Sequence, residues 1–326
     1  MNNQIDRVID VPTGKILIIN GEKGKLECLS IGDYGKQHNI KADFLGMPNE
    51  INGVPNGKIM PLEEKWVITI STQYGCSMGC TFCDVPKVGA GINATEYDLC
   101  DQVYHAIQQY PDVSHTKRLN VHYARMGEPT WNPDVLAFTR MGLRGTVKRL
   151  LGNSMIHPVV STMLPRRNKN LIPFLNEWCE IKNDLFRGDA GLQFSINSTS
   201  RVERSRMFNG NACDLTSCRN IAEALPDPVG RKYALNFAVC NYTVDAGLLS
   251  KTFNPDKFMC KLTPMHETTA CKDNGLVTKD GYDSFCPYEE MEENLKRAGF
   301  DVLVFVPSRD EDESRITCGN AILADK

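Results

Sequence analysis

Residues 71–83 read STQYGCSMGCTFC, and three cysteines, Cys76, Cys80 and Cys83, fall within eight positions at C-x3-C-x2-C spacing. A structural zinc site takes four ligands, usually two cysteine pairs or cysteine with histidine. Only Cys80 and Cys83 have that pair spacing, no second pair matches it, and the next cysteine, Cys100, falls in a predicted helix. A closed iron–sulfur cluster also takes four thiolates. Three thiolates on one short loop therefore suit a four-iron cluster with one iron left open, free to bind a substrate or cofactor.

Such a loop needs a frame. Short β-like runs recur as WVITIST (66–72), RLNVHYARM (118–126), HPVVSTM (157–163), LQFSIN (192–197), KYALNFAV (232–239), FMCKLTP (258–264) and DVLVFVP (301–307). Helical patterns lie between most of them. Leu99, Val103 and Ile107 recur at fourfold spacing after a Thr95–Asp98 capping box. Leu171, Phe174, Leu175, Trp178 and Ile181 form a second apolar stripe, and Met291, Leu295 and Ala298 a third. Alternating strands and helices predict a mainly parallel α/β sheet, as a full or partial barrel. Reactive groups in such folds sit on loops after the carboxyl ends of strands, where the cysteine loop falls. Residues 1–64 are richer in glycine and turns, with apolar stretches KILIIN and KLECLSI, and predict a small β-rich extension ahead of a 65–326 barrel.

The 326 residues carry a net charge of −3, so no global basic field marks a nucleic-acid partner, although a local patch would suffice. The first residues lack the basic and apolar regions of a signal peptide, and no apolar run approaches membrane-spanning length. The expectation is a soluble cytoplasmic protein with no membrane partner. Thirteen cysteines in such a chain point to metal or redox chemistry rather than disulfides.

The cysteine motif, with Phe82 before its last cysteine, resembles that of radical S-adenosylmethionine (SAM) enzymes. The resemblance narrows further to the RlmN/Cfr family, which methylates adenine carbons in RNA. It runs in order through the cysteine loop, KVGAGINATEYDLCDQV, MGEPTWN (126–132), VVST (159–162), LQFSIN and ITCGNAI (316–322). It implies a radical-SAM partial (β/α) barrel, a [4Fe-4S] cluster on Cys76, Cys80 and Cys83, and SAM as cofactor. Gly127, Glu128, Ser161, Ser195, Ile196 and Asn197 would contact SAM. His266 stands where the family usually has an asparagine. Cys318 would take a methyl group from one SAM, and a radical from a second SAM would activate that methyl for addition to adenine. A cysteine suits the task because its thiolate is a good nucleophile. The implied partners are an RNA substrate and an electron donor such as flavodoxin or ferredoxin.

Three departures stand out. The family has a further cysteine seven positions before the cluster, which removes a ring proton and resolves the crosslink to RNA; here the residue is Thr69. Cys28, Cys271 and Cys286 are candidate replacements. A family glutamate corresponds to Asn56, and the family's N-terminal helical RNA-binding domain has no counterpart in residues 1–64. Basic residues remain in PRRNK (165–169) and at Arg201, Arg204 and Arg206, where a phosphate backbone could be met. Two rivals follow: a radical-SAM enzyme of the same ancestry acting on DNA, a nucleotide or a peptide, and a non-catalytic metal-binding or RNA-interaction protein. The roles of Cys213, Cys218 and Cys260 stay open.

Overall fold

The computed structural model describes residues 3–33, 50–51, 54–55, 59–282, 286–307 and 309–325. Asn56 and the side chain of Cys286 lie outside the described residues.

Strands β1 (Gln4–Val11), β2 (Gly14–Gly21) and β3 (Gly24–Ile31) form an antiparallel meander. The two-residue strands β4 (Glu50–Ile51) and β5 (Val54–Pro55) pair with each other. β6 (Trp66–Ile70) leads into β7 (Gln73–Gly75) and β8 (Ala90–Asn93), an antiparallel pair with the three cysteines in the loop between them. Helix α1 (Glu96–Gln108) follows, opened by the expected capping box of Thr95 and Asp98. Then come β9 (Leu119–Tyr123), α2 (Asp134–Ala137), α3 (Leu143–Leu151), β10 (Ile156–Thr162), α4 (Leu171–Glu180) and β11 (Gly191–Ser195). The chain continues through α5 (Arg201–Met207), α6 (Leu215–Ala224), β12 (Tyr233–Val239), α7 (Ala246–Thr252) and β13 (Phe258–Pro264). It ends in α8 (Thr269–Asp273), α9 (Cys286–Arg297), β14 (Val302–Val304) and α10 (Arg309–Glu313).

One ten-stranded sheet runs β1-β2-β3-β6-β9-β10-β11-β12-β13-β14. From β6 onward every neighbour is parallel. β3 joins β6 antiparallel, so the N-terminal strands extend the main sheet rather than forming a separate cap.

Strands buried on both faces usually read as continuous apolar runs. Here the burial alternates. Trp66, Ile68, Ile70, Val121, Tyr123, Leu192, Phe194, Leu235 and Phe237 are buried, and Leu99, Val103, Leu175 and Trp178 of the helices belong to the same core. Thr69, Asn120, His122, Gln193, Ser195 and Asn236 alternate with them and are only half-buried. The sheet therefore has one greasy face under helices and one polar, partly open face. Among the described residues, no helix is long and apolar enough to cross a membrane.

Candidate active site

The cysteine loop is pinched at its base. Cys76 N–H donates to the Gly89 carbonyl at 3.1 Å. Gly75 has φ +78°, and a Cβ there would lie 2.1 Å from Gly89 O, so only glycine fits. Cys76 and Cys80 are buried and Cys83 is partly so; none is in a disulfide. Burial pushes Cys76 up to about 11 and Cys83 up to about 12; the charge of Glu128 raises Cys76 further, and the Cys76 thiol raises Cys83. Thiols in this state bind as thiolates once a cationic group replaces the lost hydration. Among the described residues, no three His, Cys, Asp or Glu side chains close around a single metal ion.

A cavity of about 250 Å³ opens beside this loop. Its lining brings together Cys76, Cys83, Gly127, Ser161, Ser195, Asn197, His266 and Cys318. These come from strand ends spread over β9 to β13, from the cysteine loop and from the C-terminal segment, which requires the polar face of the sheet to be concave. Gly127, at φ +96°, lies against Gln73, whose Cβ would be 2.6 Å from an added methyl. Asn236 also lines the cavity, and its Oδ1 is buried with no hydrogen-bond partner. An orphaned acceptor of this kind calls for a donor from a bound polar molecule. The donor set thus fits a cluster on three thiolates with an amino-acid-like ligand beside it.

Two of the expected SAM residues do not line the cavity. Ile196 is fully buried, and its carbonyl accepts from Arg204 Nη1 at 2.7 Å. Glu128 is fully buried, and both its carboxylate oxygens are occupied. Thr130 N–H and Oγ1–H donate to Oε1 at 3.1 and 2.7 Å, and Met163 N–H donates to Oε2 at 2.8 Å. Its carboxylate braces the β9 and β10 loops instead of reaching toward a ligand's ammonium. Arg204 is likewise no phosphate contact. It is buried and donates to the carbonyls of Cys213, Ser195 and Ile196.

Cys318 lies in the wall between two cavities. The outer one, about 310 Å³, is also lined by Thr268, Tyr282, Asp312, Arg315 and Asn320. His266 Nδ1 is 3.0 Å from Asp312 Oδ1 and 3.1 Å from Tyr282 Oη. Burial pushes Cys318 up, as do the charges of Cys83 and Asp312, while Arg125 opposes them. Burial also pushes Asp312 up, but His266, the Thr317 hydroxyl and the Glu267 amide outweigh it and hold the carboxyl well below its usual range. A carboxylate with a depressed pKa contributes stability above its unfolded value of about 3.9, and loses it as pH falls toward the folded value. The urea midpoint difference between wild type and Asp312→Asn should therefore be flat above about pH 5 and shrink below about pH 4. A difference independent of pH down to acid unfolding would contradict this.

The residues that sequence reasoning missed are those holding the C-terminal segment. Asp84, next to Cys83, accepts from Asn320 Nδ2 at 3.2 Å and from the Thr269 and Ala270 amides at 3.1 Å. Arg125 donates to the carbonyls of Ile316 and Arg315 at 2.7 and 2.8 Å and pairs with the buried carboxylate of Glu27. Glu27 gave a signal, as a charge inside the apolar run KLECLSI.

Of the thiols proposed to replace a residue at Thr69, Cys28 and Cys271 are described, and they sit in different parts of the fold. Thr69 sits on the polar face in register with His122. Cys28 is buried toward α1, its thiol 3.8 Å from the Gln102 carbonyl. Cys271 is buried in α8, near enough to Cys83 for its charge to raise that thiol. Cys213 and Cys218 pack beside Arg204, and Cys260 is fully buried.

A radical SAM methyltransferase from Sphaerobacter thermophilus superposes over 95% of this chain and 78% of its own, with a TM-score of 0.60 and 17% identity. The fold is that of a radical-SAM enzyme. Curated relatives add sequence similarity. The dual-specificity RNA methyltransferase RlmN of Nautilia profundicola is 34% identical over 99 residues, covering 30% of this chain and 27% of the relative. A probable RlmN of Salinibacter ruber is 28% identical over 176 residues, covering 53% and 44%. Over these stretches the chain is similar in sequence to RlmN RNA methyltransferases. The RlmN-like stretches span between a quarter and a half of these two relatives' lengths. No protein-family model matches the chain.

Proposed function

We propose that this protein is a radical-SAM methyl synthase that modifies an adenine ring carbon of RNA. The observation that carries the reading is the single cavity lined by cluster-type cysteines, strand-end polar groups and Cys318 together. In this reading Cys76, Cys80 and Cys83 hold a [4Fe-4S] cluster, and Gly127, Ser161, Ser195, Asn197 and His266 hold SAM, joined by Asn236. When bound, cluster and SAM would supply a methyl group and a 5′-deoxyadenosyl radical. The chain's own part is to seat Cys318 at the cavity wall as methyl carrier, shield it from bulk water and give it a second opening toward a substrate. Burial disfavours its thiolate, so Cys318 stays a thiol in the free protein and would be favoured as thiolate only beside a bound cationic group.

The test is tandem mass spectrometry of the Cys318 peptide, from protein made with its cluster intact, with Cys318→Ala as control. A gain of one methylene on Cys318 supports the relay. An unmodified Cys318, in protein that holds iron and cleaves SAM, sinks it.

An RNA substrate is supported by the flank of the site. A groove of about 420 Å³ is lined by Trp131, Pro133, Leu136, Phe174, Arg167 and Lys169. Arg166, Arg167 and Lys169 are exposed and make no ion pair with another of the described residues. A partly exposed indole beside free cations suits base stacking with phosphate contact. Arg167→Glu with Lys169→Glu should weaken binding of a labelled single-stranded RNA by about tenfold or more at low salt and flatten its salt dependence. Fluorescence anisotropy reads both, and wild-type affinity in the double variant would remove this support.

A second reading is favoured by Thr69. None of the described thiols replaces it at that position, and this suits an enzyme of the same ancestry that ends its reaction differently or acts on another substrate. Product analysis with RNA, DNA and nucleotides separates the two.

A further inference from the structure

The N-terminal strands and the C-terminal segment meet in a way that the proposed chemistry does not require in advance. β3 has two faces. Cys28 and Ser30 turn to α1, where their side chains reach the Gln102 and Ala106 carbonyls. Glu27, Leu29 and Ile31 turn the other way. Leu29 and Ile31 join Ile16, Ile18, Ile316 and Ala321 in a second apolar cluster, separate from the main core. Within this contact Glu27, fully buried, accepts from the Ile322 amide at 2.9 Å through Oε2 and pairs with Arg125 through Oε1. Arg125 spans both sides, holding Glu27 and the carbonyls of Arg315 and Ile316. The Arg125 carbonyl faces Gly319, where an added Cβ would lie only 2.1 Å away. Cys318 is thus fixed between anchors at residues 315, 316, 319, 320 and 322.

We infer that β1–β3 form the seat of the Cys318 segment, and that Glu27 and Arg125 are positioning residues that hold the Cys318 thiol at the cavity wall. The inference rests on the proposed reading of Cys318 only for its catalytic consequence; the seat itself is a matter of geometry. A buried ion pair is a costly way to gain stability, because desolvation offsets much of the attraction. It is a good way to fix one geometry, because the carboxylate and the carbonyls must be met together, even though Arg125 Nε is left buried without a hydrogen-bond partner. Arg125 meets one carboxylate and two carbonyls, a pattern that the forked guanidinium can satisfy and a lysine cannot.

The test uses the full chain with Glu27→Leu plus Arg125→Met, which removes the charges as a pair and leaves no buried ion alone. Three quantities are read: melting temperature, the iodoacetamide alkylation rate of Cys318 and amide exchange of residues 316–322. The expected result is a folded protein with a lower melting temperature than wild type, because two carbonyls and the Ile322 amide lose their partners, and with alkylation and exchange each faster by about tenfold or more. Arg125→Lys should fall between, since it keeps the charge and loses the fork. Gly319→Ala disturbs the seat from the segment side, so it reports even where the double variant fails to fold. Wild-type alkylation and exchange in folded Gly319→Ala and Arg125→Lys proteins would overturn the inference. Methyl occupancy of Cys318 is measured in parallel. Its absence in wild type would end the relay reading while the exchange data still judge the seat.

Discussion

Glu128→Ala should destabilise the protein by about 3–4 kcal/mol, since it strips the acceptor from three donors at once, two of them buried on Thr130. The Met163 amide and the amide and hydroxyl of Thr130 all bond this carboxylate. Neither loop can turn these donors to water without opening the wall between the cavity and the Trp131 groove, because Asn168 Nδ2 in turn donates to the Thr130 carbonyl at 2.7 Å. Glu128→Gln should cost roughly half as much, because its amide keeps one acceptor. Guanidinium midpoints measure both costs, and faster exchange of the Met163 amide locates them. A residue serving only to bind a cofactor would give the opposite pattern: wild-type stability in the free protein and weakened SAM binding.

Arg125→Ala should cost about 3–5 kcal/mol, because it leaves the fully buried Glu27 carboxylate without its counter-ion. Two C-terminal carbonyls lose their donor in the same step. Adding Glu27→Leu to Arg125→Ala should recover part of the loss, since no unpaired charge then stays buried. Chemical denaturation of the two single variants and the double variant closes a thermodynamic cycle. A coupling energy near zero would mean that the ion pair contributes nothing to folding.

The cysteine loop was legible because its chemistry is local: three ligands on one turn, with glycines where the backbone must pinch. Strands β6 and β9 to β13 were legible from short apolar runs, and α1 from its capping box. The polar faces of those strands carried a further message. In KYALNFAV, Asn236 interrupts an apolar run at an inward-facing position, and its unpaired oxygen marks the cavity. The direction of the Glu128 carboxylate was not legible. Gly127 and Glu128 are adjacent in sequence, yet opposite sides of the same turn send one to the cavity and the other into the wall. Nor was the seat of Cys318. Its contacts join residues 27, 84 and 125 to residues 315–322, and no periodicity spans such separations. Only the anomaly of a glutamate in an apolar strand hinted that a partner must exist.

The tie between Asp84 and Asn320 also sets an order of events. A ribosome makes residues 76–83 well before residues 316–322, so the nascent cysteine loop stands without its cover. A group delivered to that loop during this interval meets an open face and needs no later displacement of the segment. A chain already closed by the Glu27–Arg125 contacts must first let go of Ile316 and Ile322. Loading during synthesis should therefore be fast, and reconstitution of the finished apoprotein slow, with a rate that follows the opening of its C-terminal segment.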